Sequence, residues 1–382
     1  MTMPAVPARG PSPPSGSAPL LLHIFPTFAI GGAQVRLAAL ANRFGPRFRH
    51  AIVALDGRTD CAERLDPAVP FVLLPAPPPG GGPARFLRIR RFLRDLDPDL
   101  LVTSNWGAIE WAAANLLPPR IRHLHTEDGF GPDEAAGQKP RRVLFRRLVL
   151  RHSTVVLPSL TLLRAARETW RLPERRLHHI PNGLDLARFR PDGPRLPLAP
   201  PGEGPVIGTV ARLRAEKNLA RLLRACAALH RDGLAFRLVV IGDGPEEGRL
   251  RALAAELGIG GITRFAGHVP DPAAAYRAMD VFALSSDTEQ MPFSVMEAMA
   301  SGLPVASTDV GDVAAMLGEE GRPFLASKDD RALAAALRPL VTDGPLRHRV
   351  GAAMRARAEA EYDEAAMAAR YAALFEGRGG SE

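Results

Sequence analysis

The feature that most constrains this chain is an alternation that runs twice. LLLHIF (20–25), HAIVAL (50–55), FVLL (71–74), LLVTS (100–104), IRHLHT (121–126) and TVVLPS (154–159) are short apolar runs separated by helical stretches. After a Pro- and Gly-rich interval, RPDGPRLPLAPPGEG (190–204), the pattern restarts. Its second round is VIGTVA (206–211), FRLVVIG (236–242), ITRFAG (262–267), VFALSS (281–286) and LPVAST (303–308). Near-continuous apolar strands alternating with helices predict parallel sheets covered on both faces. The expected fold class is therefore α/β, with two doubly wound Rossmann-like domains facing a cleft. The expected boundaries are a disordered tail over 1–19, an N-terminal domain over 20–189 and a linker over 190–204. A C-terminal domain follows over 205–350, and a last helical segment over 351–382 returns to the N-terminal domain. In such sheets ligands bind beyond the carboxyl ends of the strands.

Charge separates the two halves. Residues 1–190 hold 27 Lys and Arg against 15 Asp and Glu, whereas residues 191–382 hold 22 against 26. Compositional bias accounts for Arg over Lys, since 46 of the 49 cations are Arg. It does not confine the excess to one half, which points to an anionic partner there. Nucleic acid is a poor candidate, because aromatic residues are 6% of the chain and do not interleave with the cations as stacking platforms would. Two distant cysteines, Cys61 and Cys226, suit a reducing compartment. The run PLLLHIF is broken by His23 and Pro26, too early for an export signal or a span. The expectation is a cytoplasmic protein.

The second half places chemistry at successive strand ends. Arg212 follows VIGTVA, and Lys217 stands five residues on, where a helix begins. A guanidinium fork and an ammonium at that spacing can straddle a diphosphate. Gly242, Asp243 and Gly244 follow FRLVVIG and predict a tight turn with close backbone approach. After VFALSS comes TEQMPFSVME (288–297), in which Pro292 suits the first turn of a helix. Glu289 then lies in the preceding loop and Glu297 on the second turn. The free N–H groups of that turn form an anion site, and carboxylates on either side of it accept hydrogen bonds from vicinal diols. A nucleotide sugar has hydroxyls at both ends and a diphosphate between them.

These motifs together, E-x7-E at Glu289–Glu297, R-x4-K at Arg212–Lys217, IPNGLD (180–185), GDGP (242–245) and EAMASGLPV (297–305), resemble the retaining glycosyltransferases of family 4, with the GT-B fold. The resemblance extends over roughly residues 20–375. It implies that Arg212 and Lys217 bind the donor diphosphate, Glu297 the ribose and Glu289 the donor sugar, with Met291, Pro292 and Phe293 lining that site. It also implies that Gly31 and Gly32 approach the donor phosphate and that His125 is an active-site histidine. Where many members carry Gly-Phe-Pro after the first glutamate, this chain has Gln290, Met291 and Pro292. Gln34 stands where an acidic residue often follows the paired glycines. The implied reaction transfers a hexose or N-acetylhexosamine from a UDP- or GDP-sugar to a lipid-linked or saccharide acceptor, as in envelope polysaccharide or glycolipid synthesis. No cofactor and no metal are expected. Epimerisation or hydrolysis of the nucleotide sugar on the same fold is the alternative, and turnover without acceptor would distinguish it.

Three further readings concern the basic half. RDLDPDL (94–100) holds three aspartates but precedes a strand, which suits a helix terminator better than a metal site. His123 and His125 are read as facing opposite sides of their strand, which denies them a shared metal. KPRRVLFRRLVLRH (139–152) is the densest cationic stretch. Drawn as a helix, it buries Leu144, Phe145, Leu148 and Val149 and spreads Arg142, Arg146, Arg147 and Arg151 over the other side. Such a helix suits an anionic membrane surface, which makes the protein peripheral on the cytoplasmic face.

Overall fold

The computed structural model describes residues 18–378 apart from 79, 119, 131–133 and 135–136. The tail expected over 1–19 falls outside the described residues except for Ala18 and Pro19. The chain divides into two units, residues 1–181 with 368–382, and residues 182–367.

The first unit holds β1 (Leu20–Phe25), β2 (Arg49–Ala54), β3 (Phe71–Leu74), β4 (Leu100–Ser104), β5 (Arg122–Thr126), β6 (Thr154–Leu157) and β7 (Leu177–His179). They form one sheet in the order β3-β2-β1-β4-β5-β6-β7, and every pair is parallel. Helices α1 (Gly32–Phe44), α2 (Gly82–Leu96), α3 (Ile109–Ala114), α4 (Pro140–Leu150) and α5 (Leu160–Arg164) connect the strands. Apolar clusters lie on both faces, one built around Phe25, Leu37 and Ile52, another around Leu22, Val53 and Trp111. β7 was not anticipated: its sequence, LHH, has too little apolar character to stand out, and pairing with β6 makes it a strand.

The second unit repeats the plan with β8 (Val206–Val210), β9 (Arg237–Ile241), β10 (Thr263–Gly267), β11 (Val281–Leu284), β12 (Val305–Thr308) and β13 (Leu325–Ala326). Their order is β10-β9-β8-β11-β12-β13, again all parallel. Its helices are α6 (Leu219–Arg231), α7 (Glu247–Glu256), α8 (Ala273–Tyr276), α9 (Phe293–Ala300), α10 (Val313–Gly321), α11 (Asp330–Thr342) and α12 (Gly344–Glu361). The expected pair of doubly wound Rossmann-like sheets is thus present. α13 (Glu364–Phe375) carries the chain from the second unit into the first, where the Phe375 ring packs edge-on against Phe44, Phe48 and His23.

Residues 190–204 lie inside the second unit rather than acting as a connector between units. Leu198 is buried in that unit's core, and Leu196 packs against it. Arginines fasten the irregular backbone, Arg277 Nε donating to the Pro194 carbonyl at 2.7 Å and Arg264 Nη1 to the Pro197 carbonyl at 2.7 Å. Composition registers only the missing periodicity of this stretch, whereas its carbonyls find donors far along the chain.

The orientation of α4 also differs from the expectation. Leu144 and Leu148 are exposed, at 56% and 53%, while Arg146 is fully buried. Arg146 Nε donates to Glu127 Oε2 at 3.3 Å, and its Nη1 and Nη2 donate to Glu134 at 3.3 and 3.2 Å. Its guanidinium lies 4.9 Å from the ring centre of Trp106, 5.4 Å from Phe130 and 5.2 Å from Trp170. Arg142, half-buried, joins Glu134 at 3.0 Å and also covers Trp106. A helix drawn alone assigns arginine to water. Here two buried carboxylates and three aromatic faces supply every partner the guanidinium needs. Truncating one member of such a buried cluster leaves the others uncompensated, so Arg146→Ala should destabilise the protein by about 3–5 kcal/mol. Equilibrium unfolding in denaturant would measure this, and a loss under about 1 kcal/mol, the range of a surface pair, would contradict it.

Candidate active site

In the second unit β8 lies between β9 and β11, so the chain leaves β8 and β11 in opposite directions and opens a crevice at their carboxyl ends. The loop after β8 carries Arg212 and Lys217, the loop after β9 carries Asp243, and the loop after β11 carries Glu289.

Glycine sets the first contact. Gly242 and Gly244 have φ of +125° and +156°, and a Cβ at either would strike the carbonyl oxygen of Ala211 or Leu213. Without side chains the two loops lie flat together, with Leu213 N bonded to the Asp243 carbonyl at 2.8 Å and Glu246 N to the Leu213 carbonyl at 3.0 Å. Asp243 Oδ1 thereby comes 2.5 Å from Arg212 Nη1, in a pair that remains largely exposed.

Lys217 closes a short 3-10 turn, Ala215–Lys217, and Asn218 in the left-handed region then caps α6. The loop after β11 holds this turn in place: Ser285 Oγ donates to the Lys217 carbonyl at 3.1 Å, and Asp287 N to the Glu216 carbonyl at 2.8 Å. Lys217 Nζ then donates to Glu289 Oε1 at 2.6 Å, and Ser286 Oγ donates to the same oxygen at 2.7 Å. The other Glu289 oxygen has no hydrogen bond among the described residues. The Glu289 loop rests on Gly311, whose φ is +55° and whose missing Cβ would collide with the carbonyls of Glu289 and Gln290. Asp312 N bonds the Gln290 carbonyl at 2.8 Å.

α9 begins one residue later than expected. Pro292 has an extended backbone, φ −71° and ψ 122°, and precedes the first helical residue, Phe293. Its carbonyl accepts from Val295 N and Met296 N at 3.2 and 3.4 Å, while the N–H groups of Phe293 and Ser294 have no partner within the helix. Met291 and Pro292 are buried and Phe293 is half-buried. On the next turn Glu297 Oε2 accepts from Tyr276 Oη at 2.7 Å. Burial pushes the Glu297 carboxyl up to about 7, against the opposing pull of the Tyr276 hydroxyl and the Arg188 charge. Burial likewise pushes the Tyr276 hydroxyl well above its ordinary value, with the Glu297 charge adding to it.

Sequence reasoning missed Tyr276, Ser286 and Gly311, because each meets its partner through the fold. Only Gly311 left a trace, as a glycine following a strand.

The remaining candidates belong to the first unit. Gly31 is extended, with φ −164°, and precedes α1, of which Gly32 is the first residue. Gln34 folds inward, its Nε2 donating to the Thr27 carbonyl at 2.9 Å, and is buried. His125, the penultimate residue of β5, is fully buried. Its Nδ1 lies 2.8 Å from Thr103 Oγ1 and its Nε2 3.6 Å from Glu127 Oε2. His123 Nε2 reaches the same hydroxyl at 2.9 Å, so the two rings share one side of β5. Residues i and i+2 of a strand lie on one face, which corrects the reading that they face apart. Burial, with charge at His125 adding to it, pushes His123 down to about 3.

The geometry of the second unit's crevice has a clear chemical capacity. Two cations at one strand-end cluster are held by carboxylates that an anionic ligand could replace. A helix start and a carboxyl group that titrates near neutrality stand in the same segment.

Comparison with known proteins agrees. Residues 195–357 match the family described as Glycosyl transferases group 1, and residues 30–188 match Glycosyltransferase Family 4. A GDP-mannose-dependent alpha-mannosyltransferase of Mycolicibacterium smegmatis is 31% identical over 277 residues, 69% of each chain. The chain spans about half the length of the curated relatives it matches most strongly. Anabaena HepE in complex with UDP has the same fold, with a TM-score of 0.78 at 17% identity over 94% of this chain and 100% of that one. Sucrose-phosphate synthase from Thermosynechococcus elongatus gives 0.77 at 20% identity, covering 94% and 98%.

The Glu297 environment makes a prediction about stability. A carboxyl raised by folding from 4.5 to about 7 favours the native state at low pH, and that contribution is lost as pH rises through this window. Glu297→Gln removes the titration. Its melting temperature relative to wild type should therefore climb between pH 4.5 and 7 and stay higher above pH 7. Parallel melting curves across that range would show that Glu297 is not held this way.

Proposed function

This chain belongs to the family 4 glycosyltransferases, the glycosyl transferases of group 1, and we propose that it moves a sugar from a nucleotide-sugar donor to a lipid-linked or polysaccharide acceptor, retaining the anomeric configuration. The observation that carries this reading is the pair of cations at the switch point of the second unit, each occupied by a carboxylate, Arg212 by Asp243 and Lys217 by Glu289. A donor diphosphate takes the place of those carboxylates. Glu289, released from Lys217, accepts hydrogen bonds from the sugar hydroxyls, and Glu297 with Tyr276 accepts the ribose. The N–H groups at the start of α9 add to the positive field.

In the reaction the bond between the anomeric carbon and the phosphate oxygen breaks, and the acceptor oxygen bonds that carbon from the same face. The acceptor proton passes to the departing phosphate. Arg212 and Lys217 stabilise the charge that develops on the leaving diphosphate, which is where such catalysis gains most. The named relatives support a UDP- or GDP-sugar as donor, one being GDP-mannose-dependent and one structure holding UDP. No divalent ion is needed to neutralise a group already facing two cations and a helix start.

The acceptor reading rests on the first unit. Trp106, Ile109, Phe145, Arg85, Arg141 and Arg142 line a cavity of about 390 Å³. Beside it α4 exposes Leu144 and Leu148 among Arg141, Arg147 and Arg151. This exposed set replaces the one expected from sequence, since Arg146 and Arg142 serve the buried cluster. Arginines flanking two exposed leucines fit an interface with anionic lipid, each such cation contributing about 1 kcal/mol near the surface. Among the described residues no helix is long and apolar enough to cross a membrane. We propose peripheral attachment on the cytoplasmic face.

Two outcomes test these readings. Lys217→Ala and Arg212→Ala should each lower turnover by about two orders of magnitude or more, as when a preorganised stabilising group is removed, and EDTA should leave the wild type active. Near-wild-type turnover in Lys217→Ala would refute the diphosphate assignment. In co-sedimentation, vesicles containing phosphatidylglycerol should retain the wild type at low salt and release a variant with Leu144, Leu148, Arg141 and Arg147 changed to Ser. Equal retention of both would remove α4 from the membrane contact.

A further inference from the structure

The amino ends of the first unit's strands carry a second charged cavity, on the edge of the sheet opposite to its strand-end loops. It encloses about 580 Å³, within the range of small-molecule sites. The turns entering β5, β6 and β7 supply it: Arg120 and Arg122 at the first, His152 at the second, Arg175 and Arg176 at the third, with His178 on β7 itself. Its floor is apolar and hydroxylic, from Leu100, Leu116, Leu124 and Leu374 together with Ser153 and Thr154. Among the described residues no carboxylate lines it.

Most of the charge there meets no carboxylate among the described lining residues. Arg120 Nε donates to the Leu116 carbonyl at 2.6 Å, and Arg122 donates to the carbonyls of Leu374, at 3.0 Å, and Phe375. Carbonyls satisfy the donors but leave the charge in place. Arg175 and Arg176 have no acidic partner among the described residues, and the adjacent Glu174 is engaged by Arg167 at 2.9 Å. Asp99, which acts on Arg122, lines with Asp97 a neighbouring cavity that Arg120 and Arg122 also border. Several exposed arginines elsewhere pair with carboxylates: Arg249 with Glu246, Arg251 with Glu247, Arg224 with Asp330. His152 reports the resulting field, being held below its ordinary value by burial and then by Arg151, Arg120, Arg176 and Arg175. Four guanidinium groups from two turns, over an apolar floor with no carboxylate among the described lining residues, are an electrostatic arrangement that an anion completes.

We propose that this cavity binds a phosphate-bearing anion of at least two charges, at a site separate from the proposed donor crevice. The guanidinium forks of Arg120, Arg175 and Arg176 take the phosphate oxygens, and an apolar portion of the ligand rests on the leucines. Because the floor includes Leu374 and Arg122 holds the last carbonyls of α13, occupancy also fastens the C-terminal segment to β5.

Inorganic pyrophosphate is the probe, titrated calorimetrically into the full chain carrying Arg212→Ala and Lys217→Ala, so that the proposed donor crevice does not contribute. This chain should still bind pyrophosphate, and further changing Arg120, Arg175 and Arg176 to Ser should weaken binding at least tenfold with unchanged far-ultraviolet circular dichroism. Arg249→Ser with Arg251→Ser, a loss of two cations elsewhere, should leave it unchanged. A soluble phosphate as natural occupant predicts that vesicles do not displace the probe. A lipid headgroup predicts displacement by vesicles containing phosphatidic acid and not by phosphatidylcholine alone. The proposal is overturned if the Arg212→Ala, Lys217→Ala chain binds neither pyrophosphate nor phosphatidic acid vesicles, or if the three serine substitutions weaken binding no more than the control pair does. Failure of glycosyl transfer would leave this result untouched, since the probe is read in a chain lacking both proposed donor cations.

Discussion

Everything proposed for the second unit depends on one constraint, the reversal of winding direction at β8. Parallel strands need crossover helices, and where successive crossovers turn to opposite sides, two neighbouring strands send their chains apart. β8 and β11 are those neighbours. The loops that leave them are free to project polar side chains into the space between, while Val281, Phe282 and Ile207 below stay sealed in the core. The same reversal occurs at β1 in the first unit, between β2 and β4.

Within that crevice the ion pairs have a double character. Arg212 with Asp243 is exposed and contributes little to stability, as exposed pairs generally do. Lys217 with Glu289 is more enclosed, and Ser286 stabilises the carboxylate. Neither pair is fully buried, and in the proposed reading a diphosphate, with its denser charge, takes the carboxylates' place. The Arg146 cluster in the first unit shows the opposite balance. There Arg146 and both carboxylates are dry, with aromatic rings closing the sides, and the arrangement serves packing rather than exchange.

The excess positive charge of the N-terminal half therefore has three fates. Part is internal, in Arg146 and in Arg36, which is paired with Asp128. Part is spread along the exposed face of α4. Part surrounds the amino-end cavity, where arginines from two turns meet no carboxylate among the described lining residues. A net charge cannot distinguish these fates, although they differ completely in chemistry.

The sequence by itself determined the elements and the chemistry at the strand ends. Alternating apolar runs are long-wavelength signals that any doubly wound sheet must show, and the spacings of Arg212 to Lys217 and Glu289 to Glu297 are local enough to read directly. The short strands β7 and β13 escaped because two or three residues hold no period. Only the tertiary structure decided which partner each charged group meets. Lys217 finds Glu289 across 72 positions, Tyr276 finds Glu297 across 21, and Arg146 finds Glu127 across 19. It also turned α4, because a helix viewed alone has no knowledge of the two carboxylates and three aromatic rings waiting on one side. Periodicity reports what water repels, whereas burial of a charge depends on partners that only folding brings within reach.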